Sequence, residues 1–273
     1  MRRIKVRASS WSGLLDCAHR WEGTNLLGMR SVSGLRATLG TAIHASTAVF
    51  DQGRIDGTDI TPFEAASAFI DALHHPKDEV DYRDEDMTIS QAERIGLVLH
   101  TKYCNELSPR YTFVAVELAT KPLIIDVGDG LEIEVTGTMD RARIIAGESG
   151  VGIGDVKTGK MAVTTDSHGN KVAKTAGHAA QLGTYELLYE HTTGEAITAP
   201  AEIIGLSTGA KQDVAVGQVE NARDMLLGTE DRPGLIQYAT VMFKSGLFPP
   251  NPSSQLCSQK YCPRFSRCGY HNK

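Results

Sequence analysis

The stretch GIGDVKTGK, residues 152–160, admits two readings, and they lead to different folds. Gly154, Gly159 and Lys160 match a phosphate-cradling loop, G-x-x-x-x-G-K-[ST], up to its final position. That loop needs a hydroxyl at position 161 and a helix opening behind the lysine, so that backbone N–H groups face the phosphates. Position 161 is Met, and MAVTTDSHGNK (161–171) carries no helical pattern. The loop reading fails, and an ATPase or helicase role fails with it. The other reading is a strand, VGIGDVKT (151–158), in which Asp155 and Lys157 sit two apart and point to one face.

Working outward, GTMDR (137–141) puts Asp140 on a long strand, LEIEVTGTMDRARII (131–145). Antiparallel pairing would bring Asp140 beside Asp155. Two carboxylates with the main-chain oxygen of Val156 between them form the kind of oxygen site that suits Mg²⁺ or Mn²⁺. A lysine at position 157 could then orient or deprotonate a water and steady the charge on a pentavalent phosphate. The plain alternative is an exposed Asp–Lys pair without function. Gln181 and Tyr185 are four apart in AGHAAQLGTYELLYEHTTG (176–194), which reads as a helix closed by Gly194, so they share a face. Gly40 and His44 have the same spacing in the apolar helix LRATLGTAIHASTAVF (35–50). A lone helical histidine is more often packing than ligand, so the weight falls on the ordered set.

The remaining elements frame that set. Thr61-Pro62-Phe63-Glu64 is a capping box that starts a helix to about Leu73, and Ser90 with Glu93 predicts another to about Leu107. YTFVAVEL (111–118) reads as a strand, PLIIDV and the long strand flank a turn at Gly128-Asp129-Gly130, and AEIIGLS (201–207) is a further strand. A helix is expected across roughly 213–245, before Pro249, Pro250 and Pro252 introduce a cysteine-rich tail. The order gives an α/β core in a single domain, 1–273, with a helical insertion at 56–108 and a tail at 249–273.

Composition is that of a soluble globular protein, 41% hydrophobic and 22% charged. No signal-peptide pattern or long apolar run is visible, so a cytoplasmic setting without membrane contact is expected. The net charge of −5 is unevenly spread. Residues 1–44 carry Arg2, Arg3, Lys5, Arg7, Arg20, Arg30 and Arg36 against Asp16 and Glu22. Residues 257–273 carry Lys260, Arg264, Arg267 and Lys273 and no acid. Basic ends around an acidic middle suit a protein that grips phosphates and binds cations centrally.

The set Gly40-x-x-x-His44, Glu117, Gly137-x-x-Asp140, Asp155-x-Lys157 and Gln181-x-x-x-Tyr185 resembles the RecB-type branch of the PD-(D/E)XK nucleases. The resemblance implies a restriction-endonuclease-like α/β core, a mixed central sheet flanked by helices. It implies that His44, Asp140, Asp155 and the Val156 carbonyl bind Mg²⁺ or Mn²⁺. Lys157 would be the catalytic lysine, and Gln181 and Tyr185 would position the DNA strand or the lysine. Glu117 matches a supporting carboxylate. The first motif lacks the proline that names the superfamily, and the second acid is Asp.

Of five cysteines, Cys17 precedes Arg20-Trp21 and three more, Cys257, Cys262 and Cys268, cluster at the far end. This resembles the iron–sulfur subset, which includes AddB-type nucleases and CRISPR-associated exonucleases. It implies that these four hold a [4Fe–4S] cluster stapling the two ends of the chain. The tail spacing C-x4-C-x5-C departs from the usual C-x2-C-x5-C, and Zn²⁺ is the competing ligand. Cys104 is left over as a buried thiol. The expected activity is a metal-dependent DNA nuclease, more exonuclease than endonuclease, on single strands or ends, acting by metal-activated water. Recombination, repair or phage replication is the implied setting, with helicase or recombination proteins as partners. The alternative is a non-catalytic DNA-binding or assembly subunit that kept the fold.

Overall fold

The computed structural model describes residues 1–83 and 87–271. Its first element comes from alternation: RRIKVR buries Ile4 and Val6 and turns its four cations outward, forming β1 (Arg2–Arg7). Counting those residues only as charge missed this strand. Helices α1 (Trp11–Asp16) and α2 (Ala18–Asn25) follow, separated by Cys17 in an extended conformation. The short β2 (Ser33–Gly34) leads into α3 (Leu35–Ile55), a 21-residue helix. Helix α4 (Pro62–His74) starts at the expected box, with Thr61 and Glu64 exchanging hydrogen bonds. Then come β3 (Val80–Asp81), paired with β2, and α5 (Ile89–Lys102). The cap of α5 is Thr88 with Gln91 rather than Ser90 with Glu93, because the same S/T-x-x-E/Q geometry is satisfied two residues earlier. A π-helical turn, Tyr103–Leu107, carries the chain to β4 (Tyr111–Ala119).

The long strand expected over 131–145 is two strands. Hairpin strands β5 (Leu123–Asp126) and β6 (Leu131–Thr136) join β1 in a three-stranded sheet, β1-β6-β5, while β7 (Thr138–Ile145) enters a second sheet. Gly137 is the joint. A Cβ there would lie 2.8 Å from Tyr185 Cε1, so the chain turns where only glycine fits against that ring. β8 (Val151–Gly159) is followed by the hairpin β9 (Val163–Thr165) and β10 (Lys171–Ala173), then α6 (Ala179–Thr193), ended by left-handed Gly194. β11 (Ala201–Ser207) comes next.

The helix expected across 213–245 is not there. The segment holds β12 (Val214–Val219), α7 (Ala222–Leu227), the hairpin β13 (Gly228–Thr229) and β14 (Arg232–Pro233), and finally α8 (Leu235–Ser245). VAVGQV pairs antiparallel with β11, and strand pairing outweighs the local helical pattern. Gly228, Pro233 and Gly234 would have broken a helix in any case.

The main sheet has the order β12-β11-β8-β7-β4. Only β8 and β11 run parallel within it, with α6 in the crossover between them. Both faces are covered, so β11 is buried at all seven positions. Ile153 and Ile203 face a core shared with Trp11, Leu188 and Phe243; Val156, Ile204 and Leu206 face Leu39, Ile43, Phe69 and Leu99 of α3, α4 and α5. No helix among the described residues is long and apolar enough to cross a membrane.

An ion pair lies within the second layer. Arg141 Nε on β7 donates to Asp51 Oδ2 on α3 at 2.6 Å, and neither side chain is exposed. Tyr103 OH and Ser108 Oγ donate to the two Asp51 oxygens at 2.5 and 2.7 Å, and Arg141 Nη2 donates to Thr47 Oγ1 at 3.2 Å. Removing one charge strands the other in the core. Asp51→Ala is therefore expected to lower unfolding stability by about 3–5 kcal/mol in urea titrations, and Asp51→Leu with Arg141→Met to recover most of it.

Candidate active site

Register builds the site. Arg141 pairs with Gly154 in the antiparallel β7–β8 ladder, and the next step sets Asp140 opposite Asp155. Asp140 Oδ2 accepts the Val156 N–H at 2.9 Å. From the facing layer, α3 approaches β8 closely because Gly40 has no side chain: a Cβ would fall 2.7 Å from Thr158 Oγ1. One turn on, that approach puts His44 Nδ1 3.4 Å from Asp140 Oδ2.

Glu117 joins them through an unusual backbone. The pairs Val116–Arg141 and Leu118–Met139 flank it on β4, yet its φ is +47°, a sparsely populated conformation for a residue with a side chain. One ligand atom each from His44, Glu117 and Asp140 lies within 4.8 Å of the others. Arg141 Nη1 holds this trio from behind, donating to the Asp140 carbonyl at 2.7 Å and reaching Glu117 Oε1 at 3.3 Å.

Asp155, Lys157, Gln181 and Tyr185 form the adjoining half. Lys157 Nζ stands 2.6 Å from Asp155 Oδ2. Gln181 Nε2 donates to Asp155 Oδ1 at 3.1 Å and to Tyr185 OH at 3.2 Å. The Lys157 contact is a charge contact without hydrogen-bond geometry, which leaves Asp155 Oδ2 buried and without a hydrogen-bond partner. A buried carboxylate oxygen that already draws an ammonium group, in a cluster of acids, suits a cation.

The electrostatics agree. Burial first, and then Asp140, push the Asp155 carboxyl up to about 7, against the pull of Lys157. Burial and Asp140 also raise Glu117, against Arg141. His44 is lowered, chiefly by burial and then by Lys157 and Arg141, although Asp140 works the other way. It is therefore a neutral imidazole at pH 7, with a lone pair to offer, and its approach to Asp140 is not an ion pair.

The catalytic and divalent-metal residues expected from the sequence lie in this region, in two halves. Val156 meets Asp140 through its N–H. Glu117, expected only as support, lies in the trio whose ligand atoms converge, while the Asp155 oxygens face Lys157 and Gln181. Three contributors went unread in the sequence. Arg141 stands next to the Asp140 motif but looks like surface charge, and Asp51 is a lone acid in an apolar helix. His178 caps α6 three residues before Gln181, a spacing that could have revealed it; burial, Lys157 and Lys174 lower it to about 4.

Cys17, Cys257, Cys262 and Cys268 line a separate cavity, where the tail returns to α1 and α2. Asn251 N–H donates to Cys17 Sγ at 3.4 Å, its side chain to the Asp16 carbonyl at 2.9 Å, and Arg264 pairs with Glu22 at 3.0 Å. Among the described residues no three of these sulfurs come within 4.8 Å of one another. Tetrahedral zinc with bonds of about 2.3 Å would need sulfurs roughly 3.8 Å apart. Cys104 lies elsewhere, buried against His100, with its thiol pushed up by burial.

The family model of the PD-(D/E)XK nuclease superfamily matches residues 6–269. The chain belongs to this nuclease superfamily. A solved structure from Eubacterium rectale, described as a "Putative exonuclease", superposes with a TM-score of 0.53 over 93% of this chain and 87% of that one. At 14% identity that likeness is one of fold. No curated protein matches the chain in sequence.

For a nuclease site assembled from acids, pH should register in stability. The folded state holds the Asp155 proton up to about pH 7, whereas the unfolded chain releases it near 3.8. This group's stabilising contribution is thus full below pH 3.8 and falls away as pH rises to 7. In metal-free protein, the midpoint of thermal unfolding should decline over that window relative to Asp155→Asn, which removes the titration.

Proposed function

We propose that this nuclease is a divalent-metal-dependent deoxyribonuclease acting as an exonuclease on single-stranded DNA or DNA ends. The observation that carries the reading is the convergence of His44, Glu117 and Asp140 beside the Asp155–Lys157 pair. The donor set, oxygens with one neutral imidazole, fits Mg²⁺ or Mn²⁺, held by Asp140, His44 and Glu117 with Asp155 and the Val156 carbonyl at its edge. Such an ion supplies charge to a scissile phosphate and lowers the pKa of water.

The chain's own residues do the rest. Lys157, half-buried and drawn to Asp155, offers a positive charge toward a phosphate and a group able to carry a proton at Nζ. Gln181 fixes the Asp155 carboxylate through Oδ1, leaving Oδ2 toward Lys157. The buried Tyr185 hydroxyl stays protonated, raised by burial and by Asp140 and Asp155, and braces Gln181. The exonuclease assignment draws support from the description of the Eubacterium rectale protein. A setting in recombination, repair or phage replication, beside helicase or recombination partners, follows from the RecB-type resemblance.

Digestion of end-labelled linear and circular single-stranded DNA tests this. Cleavage should require Mg²⁺ or Mn²⁺ and spare the circle. Asp155→Ala and Lys157→Ala should each slow it by about 10²–10⁴-fold. Undiminished cutting by Asp155→Ala, or none by wild type, defeats the reading; the latter would point to a non-catalytic DNA-binding subunit.

We further propose that Cys17, Cys257, Cys262 and Cys268 hold a [4Fe–4S] cluster. Their shared cavity, at the junction of the two ends of the chain, supports this. Protein purified without oxygen should be brown, absorb near roughly 400 nm and carry about four irons, whereas zinc thiolate, with a full d shell, is colourless. A colourless zinc protein refutes the cluster.

A further inference from the structure

His178 opens α6 beside the cutting site, and none of the roles assigned so far uses its side chain. The backbone fixes where it stands. β8 and β11 run parallel with α6 between them in the chain, so α6 runs antiparallel to β8 and starts at its carboxyl end. Alternation places Ile153, Asp155 and Lys157 on one face of β8, and Ile153 shares a core with Leu182, Tyr185 and Leu188 of α6.

Gln181 sets the register between the two elements, because its amide reaches Asp155. From that contact, two residues along β8 to Lys157 cover about 6.6 Å. Three residues back along α6 to His178 cover about 4.5 Å in the same direction. His178 therefore stands nearly level with Lys157, close enough for the lysine to act on it. Burial first, then Lys157 and Lys174, hold its imidazole neutral down to about 4.

Holding the helix does not account for this side chain. The His178 N–H donates to the Thr175 carbonyl at 3.1 Å and its carbonyl accepts the Leu182 N–H at 3.0 Å, so the backbone is already anchored. The imidazole makes no capping hydrogen bond, and histidine is not among the residues favoured at a helix start. What it offers is an N–H to donate, without adding a further positive charge beside Lys157 and Lys174. An acceptor suited to both the lysine and this donor is an anionic phosphate oxygen.

We propose that His178 donates a hydrogen bond to a non-bridging oxygen of the phosphate held at Lys157, and so contacts the DNA directly. This rests on the deoxyribonuclease reading and adds a substrate contact from the α6 side of the lysine. The phosphate is in place both before and during cleavage. Loss of the contact should therefore raise KM rather than lower kcat.

Steady-state cleavage of end-labelled oligothymidylate with Mg²⁺ tests it, alongside thermal unfolding of each variant. His178→Ser keeps a residue suited to a helix start but removes the donor. It should leave the unfolding midpoint at or above that of wild type and raise KM about tenfold at unchanged kcat. His178→Gln restores an N–H at similar reach and should recover most of that loss. His191→Ala, at the exposed far end of α6, should match wild type. If wild type cuts and His178→Ser keeps its KM, the contact is refuted while the nuclease reading stands. The contact is equally refuted if both His178 variants raise KM alike, or if KM rises only in step with a lower unfolding midpoint. A wild type that does not cut refutes both.

Discussion

The Asp51–Arg141 pair is the constraint on which the rest of the structure depends. A buried guanidinium and carboxylate hold together only when the remaining donors and acceptors are met. Here they are met by Tyr103, Ser108 and Thr47, while Arg54 donates to Ser108 Oγ and to the Tyr111 carbonyl at the edge of the network. The network joins α3 and the turn after α5 to β7. It thereby fixes the helical layer in both height and rotation over the sheet. Arg141 is also the neighbour of Asp140 and donates to its carbonyl. The interaction that registers the layers therefore registers the acid, and His44 is delivered to that acid by the same helix that carries Asp51.

The parts of the fold legible in the sequence were those whose signal is local. Strand β8, the capping box of α4 and the glycine stop of α6 each rest on residues within a few positions of one another. What was misread depends on partners far away. RRIKVR becomes a strand because β6 lies beside it, and VAVGQV because β11 does. The break at Gly137 is set by the Tyr185 ring, 48 positions downstream. No pattern within 131–145 contains that ring.

The site divides in the same way. Asp155 and Lys157 were readable because a two-residue period puts both on one face, and Gln181 with Tyr185 because four residues make one helical turn. Glu117 was harder to place. The register between Val116–Arg141 and Leu118–Met139 sets it across from Asp140, although its left-handed φ interrupts the regular strand there. Charge was the least legible feature, because composition counts cations without regard to the acids that pair with them in space.

The joint at Gly137 carries a further consequence for the chemistry. The Tyr185 ring packs where a side chain at 137 would stand, and its hydroxyl meets Gln181, which holds Asp155, which in turn draws Lys157. A missing Cβ on one strand thus governs, through three side chains, the placement of the lysine on another. The glycine of G-x-x-D and the lysine of D-x-K are in this sense one device. The first opens the space that α6 needs to reach the sheet, and α6 then orients the carboxylate against which the lysine is held. Residues from three separate motifs thus converge on one carboxylate–lysine pair.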